Sequence, residues 1–195
     1  MSQNAGWGEL LVGAYHQRLN GCEVVSYNNR SAEPGDQMET DVLAIDTHRE
    51  DRGQHIYICE VVTHLNGGLY SGTPDDRDGW WMEYSNTSSY HDSLETLWRK
   101  FLDGHRYTSR TFPDAEYTYQ FWAPVVTGGQ NRGDLILGLE RLKEEFEAKT
   151  NEEFELVIND EYTARIEELQ EIAKGDTSNY GSPAFRFIQI LENLE

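Results

Sequence analysis

Two carboxylates stand where a strand does not ordinarily place a charge. Asp41 opens the apolar run VLAI within METDVLAID, and Glu60 interrupts the apolar run of HIYICEVVTHL. Each segment is dense in β-branched and aromatic residues, and the intervening THREDRGQ is turn formers and charges, so Met38 to Leu65 predicts two adjacent strands. An ionised carboxylate in an apolar strand is costly unless it is paired or bound to metal. Two of them on neighbouring strands point to a shared divalent cation, because Mg²⁺ or Mn²⁺ takes oxygen ligands. The plainer alternative puts Glu60 on a solvent-facing edge strand or against a single arginine.

The elements that must position this pair follow from periodicity. Ala5 to Leu19 carries Leu10, Leu11, Ala14, Tyr15 and Leu19 at helical spacing and ends at Asn20-Gly21. CEVVSYN (Cys22 to Asn28) reads as a first strand, followed by the polar loop NRSAEPGDQ and the two acid-bearing strands. After Leu65 comes a long segment rich in Gly, Asp and Ser that carries Trp80, Trp81 and Tyr84. Those aromatics either anchor the loop to the core or stack on bases. SYHDSLETLWRKFL predicts a helix with Leu94, Leu97, Trp98, Phe101 and Leu102 on one face, leaving Arg99 and Lys100 off the stripe. A fourth strand spans Tyr117 to Val126, a helix Asp134 to Ala148 and a fifth strand Phe154 to Asn159. Asp160 is the expected cap of the next helix, and Ser182-Pro183 opens a terminal one. The order α-β-β-β-α-β-α-β-α-α predicts a single α/β domain, residues 1–195, with helices on both faces of a mixed sheet.

Thirty-five acids against sixteen bases leave a net charge of −19, and only four of the bases are lysines, Lys100, Lys143, Lys149 and Lys174. At 1 M salt the Debye length is about 3 Å, so a strongly acidic surface is tolerated there. Acids spread through the chain and scarce lysine resemble the proteins of haloarchaea, and in that setting negative charge does not exclude nucleic acid as a partner. No run of 18 apolar residues exists, so no membrane span is expected. The start MSQNAGWGELL has neither a basic n-region nor an apolar h-region, so the chain is expected in the cytoplasm. Cys22 and Cys59 lack any zinc spacing and read as reduced core thiols.

The opening third resembles the PD-(D/E)xK nuclease superfamily, most closely its small Holliday-junction-resolvase-like branch. The resemblance rests on GELLVGAYHQRLNG with Glu9, YNNRS with Asn28 and Arg30, GDQMETDVLAID with Asp41, and YICEVVTHL with Glu60. It implies a restriction-endonuclease-like fold, an α-β-β-β-α-β core with C-terminal additions. It also implies a Mg²⁺- or Mn²⁺-dependent DNA endonuclease of repair, recombination or defence. Asp41 and Glu60 would be metal ligands, Glu9 a third carboxylate acting directly or through water, and the Val61 carbonyl would complete the set. Arg30 either meets phosphate on DNA, branched DNA included, or forms a surface ion pair with a nearby acid, Arg99 either meets phosphate or lies on a solvated helix edge, and a homodimer would suit a two-strand cut.

One departure matters. The family's lysine two residues after the glutamate is here Val62, which can neither orient water nor stabilise charge. Three replacements are open: His64, two residues further along; Lys100 or Arg99 from the next helix, a relocation similar to that of some branches; and Gln120 on the fourth strand. The remaining alternative is a catalytically inactive module, retained for nucleic-acid binding or protein assembly. A third reading, an unrelated α/β binding protein with a halophilic surface, stays beside these.

Overall fold

The computed structural model describes residues 5–30, 39–47, 53–63, 65, 94–126 and 134–194. Helix α1 (Trp7–Arg18) leads into strands β1 (Val24–Arg30), β2 (Glu39–Asp46) and β3 (His55–Val61). Helix α2 (Leu94–Thr111), strand β4 (Glu116–Ala123), helix α3 (Asp134–Thr150) and strand β5 (Glu153–Ile158) follow. Helices α4 (Asn159–Ala173) and α5 (Pro183–Glu192) complete the chain. The five strands form one mixed sheet in sequential order, antiparallel from β1 to β3 and parallel from β3 to β5. The expected α/β architecture and element order are therefore present.

Alternation along the strands divides the sheet into two faces. On one, Leu43, Ile45, Ile56, Ile58, Tyr119, Phe121 and Phe154 pack with Leu97, Trp98 and Phe101 of α2 and with Leu139, Leu142 and Phe146 of α3. On the other, Val42, Cys59, Trp122 and Val157 meet Val12 and Tyr15 of α1. Helix α5 forms an outer layer over α1 and α4, through Ala14, Leu169, Ala173, Ala184, Phe185 and Ile188. Helix α1 can lie this close because it presents glycine at the contacts. A Cβ on Gly8 would collide with Thr63, and one on Gly13 with the ring and hydroxyl of Tyr27. Both cysteines are free and buried.

Three local expectations change. Cys22 precedes β1, which runs on to Arg30 through Asn28 at positive φ. Helix α2 continues nine residues past Leu102 through DGHRYTSRT, a sequence of modest helix propensity. Its last turns are held from outside: Thr108 Oγ1 lies 3.1 Å from the Tyr119 hydroxyl, and Tyr117 Oη donates to the Thr108 and Phe112 carbonyls. Asp160 does not cap α4; it sits in the first turn, after the N-cap Ile158. Asn159, at positive φ, instead ties the strand end to Val126 through both its amide atoms. Ser182 does cap α5, accepting from the Phe185 N–H ahead of Pro183. Among the described residues no helix is long and apolar enough to cross a membrane.

Candidate functional site

Glu60 lies on the central strand β3, not at an edge, and is 3% exposed. Its partner is a lysine: Lys100 Nζ donates to Glu60 Oε2, with the lysine side chain 15% exposed. Lys100 reaches it because α2 crosses low over the sheet. One turn further on, a Cβ on Gly104 would stand 3.8 Å from Ile58 Cγ2 and from Thr40 Oγ1. The register that pairs Val42 with Cys59 brings the adjoining ends of β2 and β3 together, and Asp41 Oδ2 accepts from the Val61 N–H at 2.8 Å.

The electrostatics follow from three carboxylates gathered around one ammonium. Burial, then the Asp41 charge, pushes the Glu60 carboxyl up to about 8, against the pull of Lys100. Burial lowers the Lys100 pKa, but Glu60 and Asp41 outweigh it and hold the ammonium above the ordinary lysine value. The proton contested within this pair belongs on the lysine, which faces Glu60, Asp41 and Glu39 together. Glu39, two residues before Asp41, is a member the sequence reading missed; strand alternation was the available signal. It also carries Arg30 to the rim, through an exposed ion pair of 2.6 Å.

The remaining expected residues divide. Arg99 is exposed, next in the chain to Lys100. Val62, in the position of the missing lysine, packs against the core of the α2 face. Glu9 accepts from the Gly6 N–H and from Asn28 Nδ2, both at 2.9 Å, and so holds the start of α1 against β1. His64 lies outside the described residues, as do Trp80, Trp81 and Tyr84. Among the described residues no three His, Cys, Asp or Glu side chains converge to hold a metal.

Gln120 requires a correction, because alternation turns it to the opposite, α1 face of the sheet. It is 1% exposed there, and its Oε1 accepts from Trp122 Nε1 at 2.8 Å and from His16 Nε2 at 2.9 Å. Its Nε2 donates to Glu155 at 2.6 Å. Asn20 Nδ2 donates to His16 Nδ1, so the hydrogen bonds assign the Nε2–H tautomer to His16. Burial drives the His16 pKa down to about 3, leaving the ring neutral. Arg165 closes this network with Glu155 at 3.0 Å and Glu161 at 2.9 Å, over a cleft of about 330 Å³ that Tyr15 and Tyr57 also line. Every polar group of the His16–Gln120 chain is satisfied, so the cluster holds α1 and α4 to the sheet. A mid-strand glutamine beside a helix histidine gives no sequence signal of the face it takes.

No protein-family model, curated protein or solved structure matches the chain. The centre on the α2 face therefore stands on its own chemistry.

Proposed function

We propose that the chain is a metal-dependent DNA endonuclease of restriction-endonuclease-like fold, with its centre at Asp41, Glu60 and Lys100. The observation that carries this reading is the contact of Lys100 with Glu60. It brings from α2 the amine that Val62, just past β3, lacks. The expected α-β-β-β-α-β order and mixed sheet support the same reading.

The donor set fits a hard cation. Asp41 and Glu60 would hold it with the Val61 carbonyl, and two carboxylates plus substrate phosphate are a common way to bind Mg²⁺. Burial and then the Asp41 charge raise Glu60, and the repulsion between the two carboxylates is the part that a divalent ion relieves. When bound, such an ion lowers the pKa of an attacking water and stabilises charge on phosphate oxygens. Lys100 keeps its proton beside Glu60 and offers a fixed positive charge to a phosphoryl oxygen. The Asp41 bond to the Val61 N–H fixes that carboxylate to the neighbouring strand before substrate arrives.

The test is cleavage of supercoiled, single-stranded, flap and four-way-junction DNA in molar KCl with Mg²⁺ or Mn²⁺. Asp41→Ala and Lys100→Ala should each lower the rate by at least about a hundredfold, with Lys100→Arg intermediate. A second reading rests on the closure of the ion pair: Glu60 and Lys100 are both largely buried, as in a structural salt bridge that an inactive module would keep. Folded wild-type protein that binds Mn²⁺ and branched DNA yet cuts nothing would establish that reading instead.

A further inference from the structure

Among the described helices, bases outnumber acids in α2 alone: Arg99, Lys100, Arg106 and Arg110 stand against Glu95 and Asp103. In a chain of thirty-five acids and sixteen bases that is a reversal of the prevailing sign. Arg99, Arg106 and Arg110 are seven and four residues apart, so they fall on one line along the helix, and all three are exposed. Leu97, Phe101 and Thr108 form the opposite, buried line against the sheet. Lys100 stands about 100° round the helix from Arg99, between the buried line and the arginines.

We infer that the arginine line of α2 is the surface on which the phosphate backbone of duplex DNA lies, running from the Lys100 centre past Arg106 to Arg110. Charge complementarity selects the partner. Helix α4, on the other face of the sheet, carries Asp160, Glu161, Glu167, Glu168 and Glu171 against Arg165, so the field across the molecule turns α2 toward a polyanion and α4 away from it. Helix α3, beside α2, has five acids against three bases, which confines the track to the width of one helix. Length agrees: at 1.5 Å per residue Arg99 to Arg110 spans about 16 Å, close to half a turn of duplex. Residue type agrees as well. Arginine's planar fork pairs with two phosphate oxygens at once, and those bonds persist where molar salt removes most of the gain from counterion release. Arg106 meets Asp103 at 3.0 Å with its own side chain 71% exposed, a water-screened contact that a phosphate oxygen can replace.

The inference rests on the nuclease reading for the choice of DNA among polyanions, and it adds Arg106 and Arg110 to the residues that meet substrate. The two can fail separately, because binding is read without metal and cleavage with it.

Fluorescence anisotropy of the full chain on a short labelled duplex, in EDTA and between about 0.1 and 0.5 M KCl, gives the slope of log affinity against log salt. Arg106→Gln and Arg110→Gln should each make that slope shallower by about 0.9, and together by about 1.8, with unchanged circular dichroism. Lys174→Gln removes the same charge beyond the end of α4 and should leave the wild-type slope. Arg106→Lys should keep the slope yet weaken binding, because the charge stays while the fork is lost. A wild type that binds no duplex at about 0.1 M KCl overturns the inference, as does a slope that Lys174→Gln alters as much as Arg106→Gln does. Polyglutamate that displaces the labelled duplex as readily as unlabelled DNA also overturns it and assigns the line to an acidic protein. Shallower slopes in a protein that cuts nothing with Mg²⁺ would keep the track and remove the nuclease; cleavage with unaltered slopes would do the reverse.

Discussion

His16 is the residue whose charge state the fold constrains most. Its pKa falls from 6.5 to about 3 on burial, so the folded protein refuses a proton that the unfolded chain accepts. The stability linked to His16 is therefore present above about pH 6.5 and is lost as pH falls toward 3, by about 1.4 kcal/mol per unit at most. Urea midpoints from pH 7 to pH 4.5 should fall more steeply for wild type than for His16→Gln; equal slopes would place the acid sensitivity elsewhere. On the opposite face, Lys100 shows what single residues reveal in advance. The Asp41 and Glu60 pair was legible because a charge inside an apolar strand demands a partner, and Lys100 was one of the named candidates. Which candidate meets Glu60 was not legible, since side-chain reach depends on how α2 crosses the sheet. Gln120 fails for the complementary reason: its strand was read, but not the face.

At the scale of elements, the seating of α1 carries a sharp prediction. Alanine ordinarily stabilises a helix interior by about 1 kcal/mol over glycine. At Gly13 the added methyl meets the Tyr27 ring, so Gly13→Ala should destabilise by about 1–3 kcal/mol instead. A double-mutant cycle with Tyr27→Ala, followed by chemical denaturation, should return a coupling of at least about 0.5 kcal/mol; additive effects would mean that α1 shifts freely. The elements themselves were largely readable, because apolar periodicity and turn residues agree along most of the chain. Their ends were less so. The last turns of α2 depend on hydroxyls of β4 that come later in the sequence, and the start of α4 on an asparagine that binds back to Val126.

The whole molecule is a polyanion of charge −19 folded around a sheet of moderate size. Its carboxylates repel one another at distances that dilute salt leaves unscreened. The thermal midpoint should therefore rise steadily from about 0.1 M to 2 M KCl, and a calorimetric series would check it. A flat response would mean that local ion pairs already balance the field. The parallel join of β3 to β4, which sets Val61 beside Trp122, has a further consequence in time. A growing chain can form the β1–β3 meander, with Asp41 and Glu60 in place, while Lys100 and β4 have yet to be made. Pairings across so long a separation form late, because the intervening chain must first be closed. Until then Glu60 lacks both its lysine and the burial that raises its pKa. The contact of Lys100 with Glu60 thus forms only as the crossover docks.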